Sequence, residues 1–166
     1  MTLSAQDLPN FPDTAKGHCE LTVCAYERLG AEVARSVEAF LLPYGEEFGG
    51  ATLPDYISAG TPQMCFMNCH ELADEEESLT YCEGFVVRVG VFPITIHHAW
   101  LLGPDGETVI EPTITDKPEE LSYFGVRLPM ELVDDVTRVT RSYSVLGKRR
   151  GHEAIEKLFD KGEEGP

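Results

Sequence analysis

Cations are scarce in this chain: 13 lysines and arginines stand against 29 aspartates and glutamates, a formal net charge of −16 over 166 residues. Binding a polyphosphate or an anionic membrane surface depends on neutralising fixed negative charge, so this balance argues against nucleic acid and membrane as partners. An anionic cell-wall polymer is disfavoured for the same reason. Acidity is also a common route to plain solubility, and needs no partner to explain it. Long apolar runs are missing too, and none approaches the ~20 residues of a membrane-spanning helix. The stretch from Met1 to His18 has neither the basic start nor the apolar centre of a secretory signal, so a cytoplasmic location is expected. Cys-x-x-Cys pairs are absent, which removes the commonest spacing for a structural zinc site. The five cysteines, Cys19, Cys24, Cys65, Cys69 and Cys82, are an odd number that fits a reducing compartment. Most of them are expected to be small buried hydrophobes.

What is present suffices for one core. Apolar residues make up 42% of the chain and aromatics 9%, well above a disordered composition. Residues 1–18 contain Pro9, Pro12 and Gly17 without periodicity and read as an irregular arm. Residues 19–160 read as a single α+β domain, and 161–166 as a frayed tail. Tyr26, Leu29, Val33, Val37 and Phe40 recur at helical spacing, which predicts one helix over 22–42, ended by Pro43 and Gly45. A Gly- and Pro-containing loop follows from Tyr44 to Gly60. Thr61-Pro62 is a helix-start signal, so a second helix is expected from Pro62 to Asp74. Period-two patterning then predicts strands at 79–89, 92–102 and 107–113, with a further short one at Tyr123–Leu128. Helical patterns return at Met130–Arg141 and His152–Phe159.

Two side chains on this scaffold suggest nucleophilic chemistry. Cys65 falls in the first turn of the second predicted helix, where free backbone N–H groups and the helix dipole favour a thiolate. The bland alternative is a buried helix-face cysteine like Cys69. The segment Ile94–Leu102 carries two adjacent histidines, and alternation puts His98 with Ile94, Ile96, Trp100 and Leu102 on its more apolar and aromatic face. There an imidazole shielded from water can act as a base, or simply be a core histidine bonded to a carbonyl.

The Gly103-Pro104-Asp105-Gly106 turn bears on the third residue. A four-residue loop over Gly103–Gly106 pairs Leu102 with Glu107 and sets His98 opposite Glu111, where a carboxylate can orient the ring. A three-residue loop with a glycine bulge instead sets Pro112 opposite His98 and turns Glu111 to the other face. The local sequence leaves both open. A metal site is a competing use of the same residues: Cys65 and Cys69 at i and i+4, completed by Cys82, His70, His97 or His98.

Five segments together carry a resemblance. Cys65-Phe66-Met67-Asn68-Cys69, Tyr81-Cys82-Glu83-Gly84, His98-Ala99-Trp100-Leu101, Val109-Ile110-Glu111-Pro112-Thr113 and Tyr123-Phe124-Gly125-Val126 resemble, in this order, an uncharacterised family of small phage and bacterial proteins. The arrangement is similar to the papain-like and transglutaminase-like superfamily of cysteine enzymes, and it covers about residues 61–128. The resemblance implies a papain-like fold, with helices on an antiparallel sheet. It also implies Cys65 as nucleophile, His98 as base and Glu111 as orienting acid, working without a cofactor or a metal. The expected activity is thiol-dependent acyl transfer or hydrolysis on a peptide or amide, a host protein among the options. The family pattern has aspartate before Pro-Thr where this chain has Glu111, one methylene longer. It often has glutamine before the cysteine, where this chain has Met64, which leaves Gln63 as the nearest amide for an oxyanion hole. Asn68 and Glu83 are expected either to tie helix to sheet or to be simply structural, and Trp100 to pack. A catalytically inert binder that keeps the fold, such as a phage protein blocking a host factor, is the alternative from another class.

Overall fold

The computed structural model of the protein describes residues 12–28, 36–88 and 95–163. In chain order the elements are α1 (Ala15–Arg28), α2 (Val37–Leu41), β1 (Glu46–Phe48), α3 (Cys65–Glu75), β2 (Thr80–Arg88), β3 (Ile96–Leu102), β4 (Val109–Ile110), a 3-10 turn at Pro118–Glu120, β5 (Leu121–Leu128), α4 (Met130–Thr140) and α5 (Arg149–Glu163). The five strands form one antiparallel sheet in the order β1-β5-β2-β3-β4. The protein is therefore a mixed α/β fold with helices on an antiparallel sheet. Among the described residues, no helix is long and apolar enough to cross a membrane.

Strand alternation gives the sheet two apolar faces with different covers. Tyr81, Phe85, Ala99, Leu101, Phe124, Val126 and Leu128 point to the helix side, where Cys19 of α1, Cys69 and Ala73 of α3 and Val133 and Val136 of α4 join them. Cys82, Val86, Trp100, Leu102, Val109, Leu121 and Tyr123 point the other way, against Phe48, Ala51 and Ile114. Loops rather than helices carry Ala51 and Ile114, so that second face is closed by the same segments that hold the candidate site.

Several expectations need correction. The arm ends earlier than expected: α1 begins at Ala15, because the Thr14 hydroxyl accepts from Gly17 N at 3.1 Å and Ala15 N donates to Ser122 Oγ at 3.2 Å. Gly17, read as a breaker, is a packing position. A Cβ there would lie 2.4 Å from the Pro12 Cβ. The single helix over 22–42 does not form. α2 has its own start, capped by the Ser36 hydroxyl on Ala39 N at 3.1 Å, and residues 29–35 lie outside the described ones. Residues 92–94 of the predicted second strand lie outside them too. β1 lies in what was read as loop; three residues show too little alternation to read. The strand predicted over 107–113 shrinks to Val109–Ile110, because Pro112 has no N–H for a ladder and Glu111 caps the turn that follows it. β5 starts two residues earlier than predicted, and α5 extends to Glu163, so the expected tail is helical at 161–163.

The candidate nucleophile's helix also starts late. Thr61-Pro62 makes a turn, with Met64 N on Thr61 O at 3.2 Å, and Gln63 takes a left-handed φ of 66°, so α3 begins at Cys65. Cys65 is thus the first residue of α3 rather than one inside its first turn.

Neither predicted hairpin register occurs. The observed pairs are Leu101 with Ile110 and Leu102 with Val109. Gly103 N bonds Thr108 O at 2.8 Å, so the four loop residues are Pro104–Glu107. Asp105 explains the shift: its Oδ1 accepts from Glu107 N at 3.0 Å and Thr108 N at 2.9 Å, and Gly106 supplies the positive φ of 71°. These bonds and that of Thr108 Oγ1 hold the Asp105 carboxyl low, at about 2. This register sets Glu111 across from Trp100 rather than His98, on the face that His98 shares.

Candidate active site

Short β4 makes the site possible. Pairing with β3 stops at Ile110, which leaves the edge of β3 at His98 without a neighbouring strand among the described residues. The first turn of α3 comes to that edge, and Cys65 bears on the His98 ring closely enough to raise its proton affinity. The ring's Nε2 lies 2.7 Å from Glu111 Oε2. Cys65 is 7% exposed and His98 3%, while Glu111 is fully buried. The structure thus brings Cys65, His98 and Glu111 together in one water-poor cluster.

Glu111 reaches His98 diagonally. A diagonal cross-strand pair spans roughly 7–8 Å between Cα atoms, too far for a short side chain, and the extra methylene of glutamate helps to close the gap. Its other oxygen is used locally: Oε1 accepts from Thr113 N at 2.8 Å and Ile114 N at 2.9 Å. Pro112 has no N–H, so the first free donors past Glu111 are these two, and the Glu-Pro-Thr sequence folds back on its own carboxylate. Tyr123 adds a fourth donor, its hydroxyl 2.9 Å from Oε2.

The electrostatics follow from these bonds. Burial disfavours the Glu111 anion, but the hydrogen bond and charge of His98, with the two backbone N–H groups, more than offset this and hold its carboxyl below the usual range. Burial also disfavours the imidazolium of His98. The influence of Cys65 and the hydrogen bond and charge of Glu111 prevail and push it up from 6.5 to about 9. Burial and the neighbouring Glu111 charge raise the Tyr123 hydroxyl far above its ordinary value, so it remains a donor. The group is arranged to hold a proton on the histidine between a fixed anion and a thiol.

Asn68 locks the two halves of the site together. Its Nδ2 donates to Thr61 O at 2.8 Å and to Thr113 Oγ1 at 2.9 Å, while its Oδ1 accepts from Thr61 N at 3.1 Å. The loop before the nucleophile and the turn after the acid are therefore clamped by one amide. Gly60 leaves room for it, since a Cβ there would sit 2.4 Å from Asn68 Cγ. Trp100 is fully buried, 5.5 Å from the Phe48 ring and 4.9 Å from that of Tyr123, in a packing position.

Glu83 is not brought to the site. It lies on the helix side of β2, fully buried, where its carboxylate accepts from Ser144 Oγ and Val145 N at 2.8 Å each and from Leu146 N at 2.9 Å. His97 Nε2 is 3.0 Å from the same carboxylate. Glu83 thus anchors the segment after α4, and none of its described hydrogen bonds goes to helix α3. Gln63 is exposed in the turn before Cys65 and makes none of the described hydrogen bonds to the cluster. The zinc arrangement does not assemble. Among the described residues no three His, Cys, Asp or Glu side chains converge on a point a metal could occupy. His70 pairs instead with Asp134 at 2.8 Å, and Cys82 lies on the face away from α3 with its thiol 3.9 Å from Thr80 O.

Sequence reasoning missed Tyr123 and Thr113 as partners. Tyr123 sits two strands from His98, joined to it only by the β5-β2-β3 order. Between them lies Gly84, paired with both His98 and Gly125, so no side chain stands on β2 at the level of the imidazole. Compared with known protein families, with curated proteins and with solved structures, the chain matches none.

Proposed function

We propose that the protein is a thiol-dependent acyl-transfer enzyme with a papain-like arrangement, acting on a peptide or amide through Cys65, with His98 as base and Glu111 as orienting acid. The observation that carries this reading is the buried cluster of Cys65, His98 and Glu111, in which the ring's Nε2 lies 2.7 Å from the carboxylate and Cys65 raises the ring's proton affinity. His98 takes the thiol proton, and sulfur attacks the substrate carbonyl to give a tetrahedral oxyanion. The free N–H groups of the first turn of α3, that of Cys65 first, are donors for that oxyanion. The oxyanion collapses to a thioester as His98 returns its proton to the departing amine. Water then gives hydrolysis, or a second amine gives transfer. Glu111 stays an anion throughout, with its proton affinity lowered by four donors.

A second reading, an inert binder with a papain-like scaffold, is favoured by one observation: Cys65 is only 7% exposed. Chemical labelling decides between them, with the exposed Cys24 as an internal control for access. With iodoacetamide at about pH 6, Cys65 should be modified at least roughly tenfold faster than Cys24, and His98→Ala should abolish the difference. If Cys24 reacts first and Cys65 matches buried Cys69, the binder reading replaces the enzyme.

A further inference from the structure

The geometry points to Tyr123 as a positioning residue: its hydroxyl shares Glu111 Oε2 with the His98 ring, so it fixes the carboxylate as an anion and limits how tightly that anion holds the imidazole proton. The inference rests on the proposed function for its catalytic meaning, although the hydrogen-bond geometry stands by itself.

The four donors to Glu111 divide evenly. Two backbone N–H groups, of Thr113 and Ile114, occupy Oε1, and two side chains, of His98 at 2.7 Å and Tyr123 at 2.9 Å, occupy Oε2. Two donors on one oxygen draw on the same electron density, so each weakens the other's bond. A carboxylate with His98 as its only side-chain donor would concentrate its charge on the ring and make the imidazolium a reluctant acid. A general acid works best when its proton is released near the working pH, so a shared oxygen favours proton return to a leaving amine. Tyr123 is suited to this task because it is fully buried and its ring is wedged 4.9 Å from that of Trp100. The titratable groups that face this cluster are Cys65 and Cys69 from α3, Glu111 after β4, and Arg88 from β2, whose charge eases ionisation of Tyr123.

The test is Tyr123→Phe in the full chain, which keeps the ring and removes only the hydroxyl. The ring nitrogens of His98 are followed by nitrogen-15 NMR across pH. The midpoint of wild-type His98 is expected near 9, and the variant's should rise by half a unit or more. Simple loosening of Glu111 would move it down instead. In Glu111→Gln the midpoint should fall, and adding Tyr123→Phe to that variant should change it no further, because the route through Glu111 is gone. A midpoint that stays put or falls in Tyr123→Phe overturns the inference, as does a further shift in the double variant. Selective labelling of Cys65 tests the enzyme reading separately: if it fails, the His98 titration still decides what Tyr123 does. Should Tyr123→Phe unfold, fluorotyrosine incorporated at position 123, whose hydroxyl is the stronger donor, is the companion. A midpoint lowered by the fluorotyrosine supports the inference, and an unchanged or raised one counts against it.

Discussion

Glu111 shows how one methylene can settle a site. Aspartate at this position could still cap the Thr113 and Ile114 N–H groups, as such side chains do in tight turns, but it would fall short of His98 across the diagonal. Glu111→Asp should therefore keep the fold and lose the bond to Nε2. Hydrogen bonds to a charged partner are worth about 1.5–3 kcal/mol, so the Cys65 labelling rate near neutral pH should fall roughly 10- to 100-fold. Glu111→Gln should do likewise with the length preserved. An unchanged labelling rate in both would remove the acid from the mechanism and leave a Cys–His pair.

At the scale of elements, the site depends on how closely β5, β2 and β3 approach. Gly84 and Gly125 face each other across β2 and β5. A Cβ on Gly125 would come within 2.4 Å of both the Trp100 ring and the Glu83 carbonyl oxygen, so that glycine is required for space. Gly125→Ala forces the indole or the strand to move, a cost of about 1–3 kcal/mol for an overpacked position. Thermal unfolding should show a loss of several degrees, with Cys65 labelling slowed because Trp100 leans on Tyr123. A melting temperature equal to wild type would mean that the sheet has slack here. Helix α3 has its own dependence on a neighbour: with Met64 as an N-cap lacking a capping side chain, its start is held by the Asn68 clamp rather than by Thr61.

Across the whole molecule, the buried His98–Glu111 pair makes stability depend on pH in two directions. The folded-state affinity of Glu111 for its proton is lowered, so its contribution is complete above the unfolded value near 4.5 and is lost as pH falls below that. His98 is raised to about 9, so its contribution is complete below the unfolded value of 6.5 and is lost as pH climbs from there through about 9. Both are fully present only between about 4.5 and 6.5. Repulsion within a chain of net charge −16 adds to the loss on the alkaline side. Calorimetry should find the highest melting temperature in that interval and a decline toward pH 9. In His98→Asn the alkaline decline should flatten; an equally steep decline would show that general charge repulsion, and not this pair, governs it.

The sequence by itself determined the features that arise from neighbours along the chain. Period-two and helical patterning located β2, β3, α4 and the body of α3, and the adjacent histidines were told apart because alternation must send His97 and His98 to opposite faces. What the sequence left open was everything that depends on pairing between distant segments. The hairpin register turned on Asp105 accepting from two loop N–H groups, a contact the turn's composition alone does not single out. β1 is too short to show a pattern, and α1 starts where it does because Ser122, more than a hundred residues away, bonds its first turn. Tyr123 could join the site only once β5 had paired beside β2, and Glu83 left it because a strand side chain's face decides which cluster it meets. Local chemistry chose the residue types, and strand order chose which of them touch.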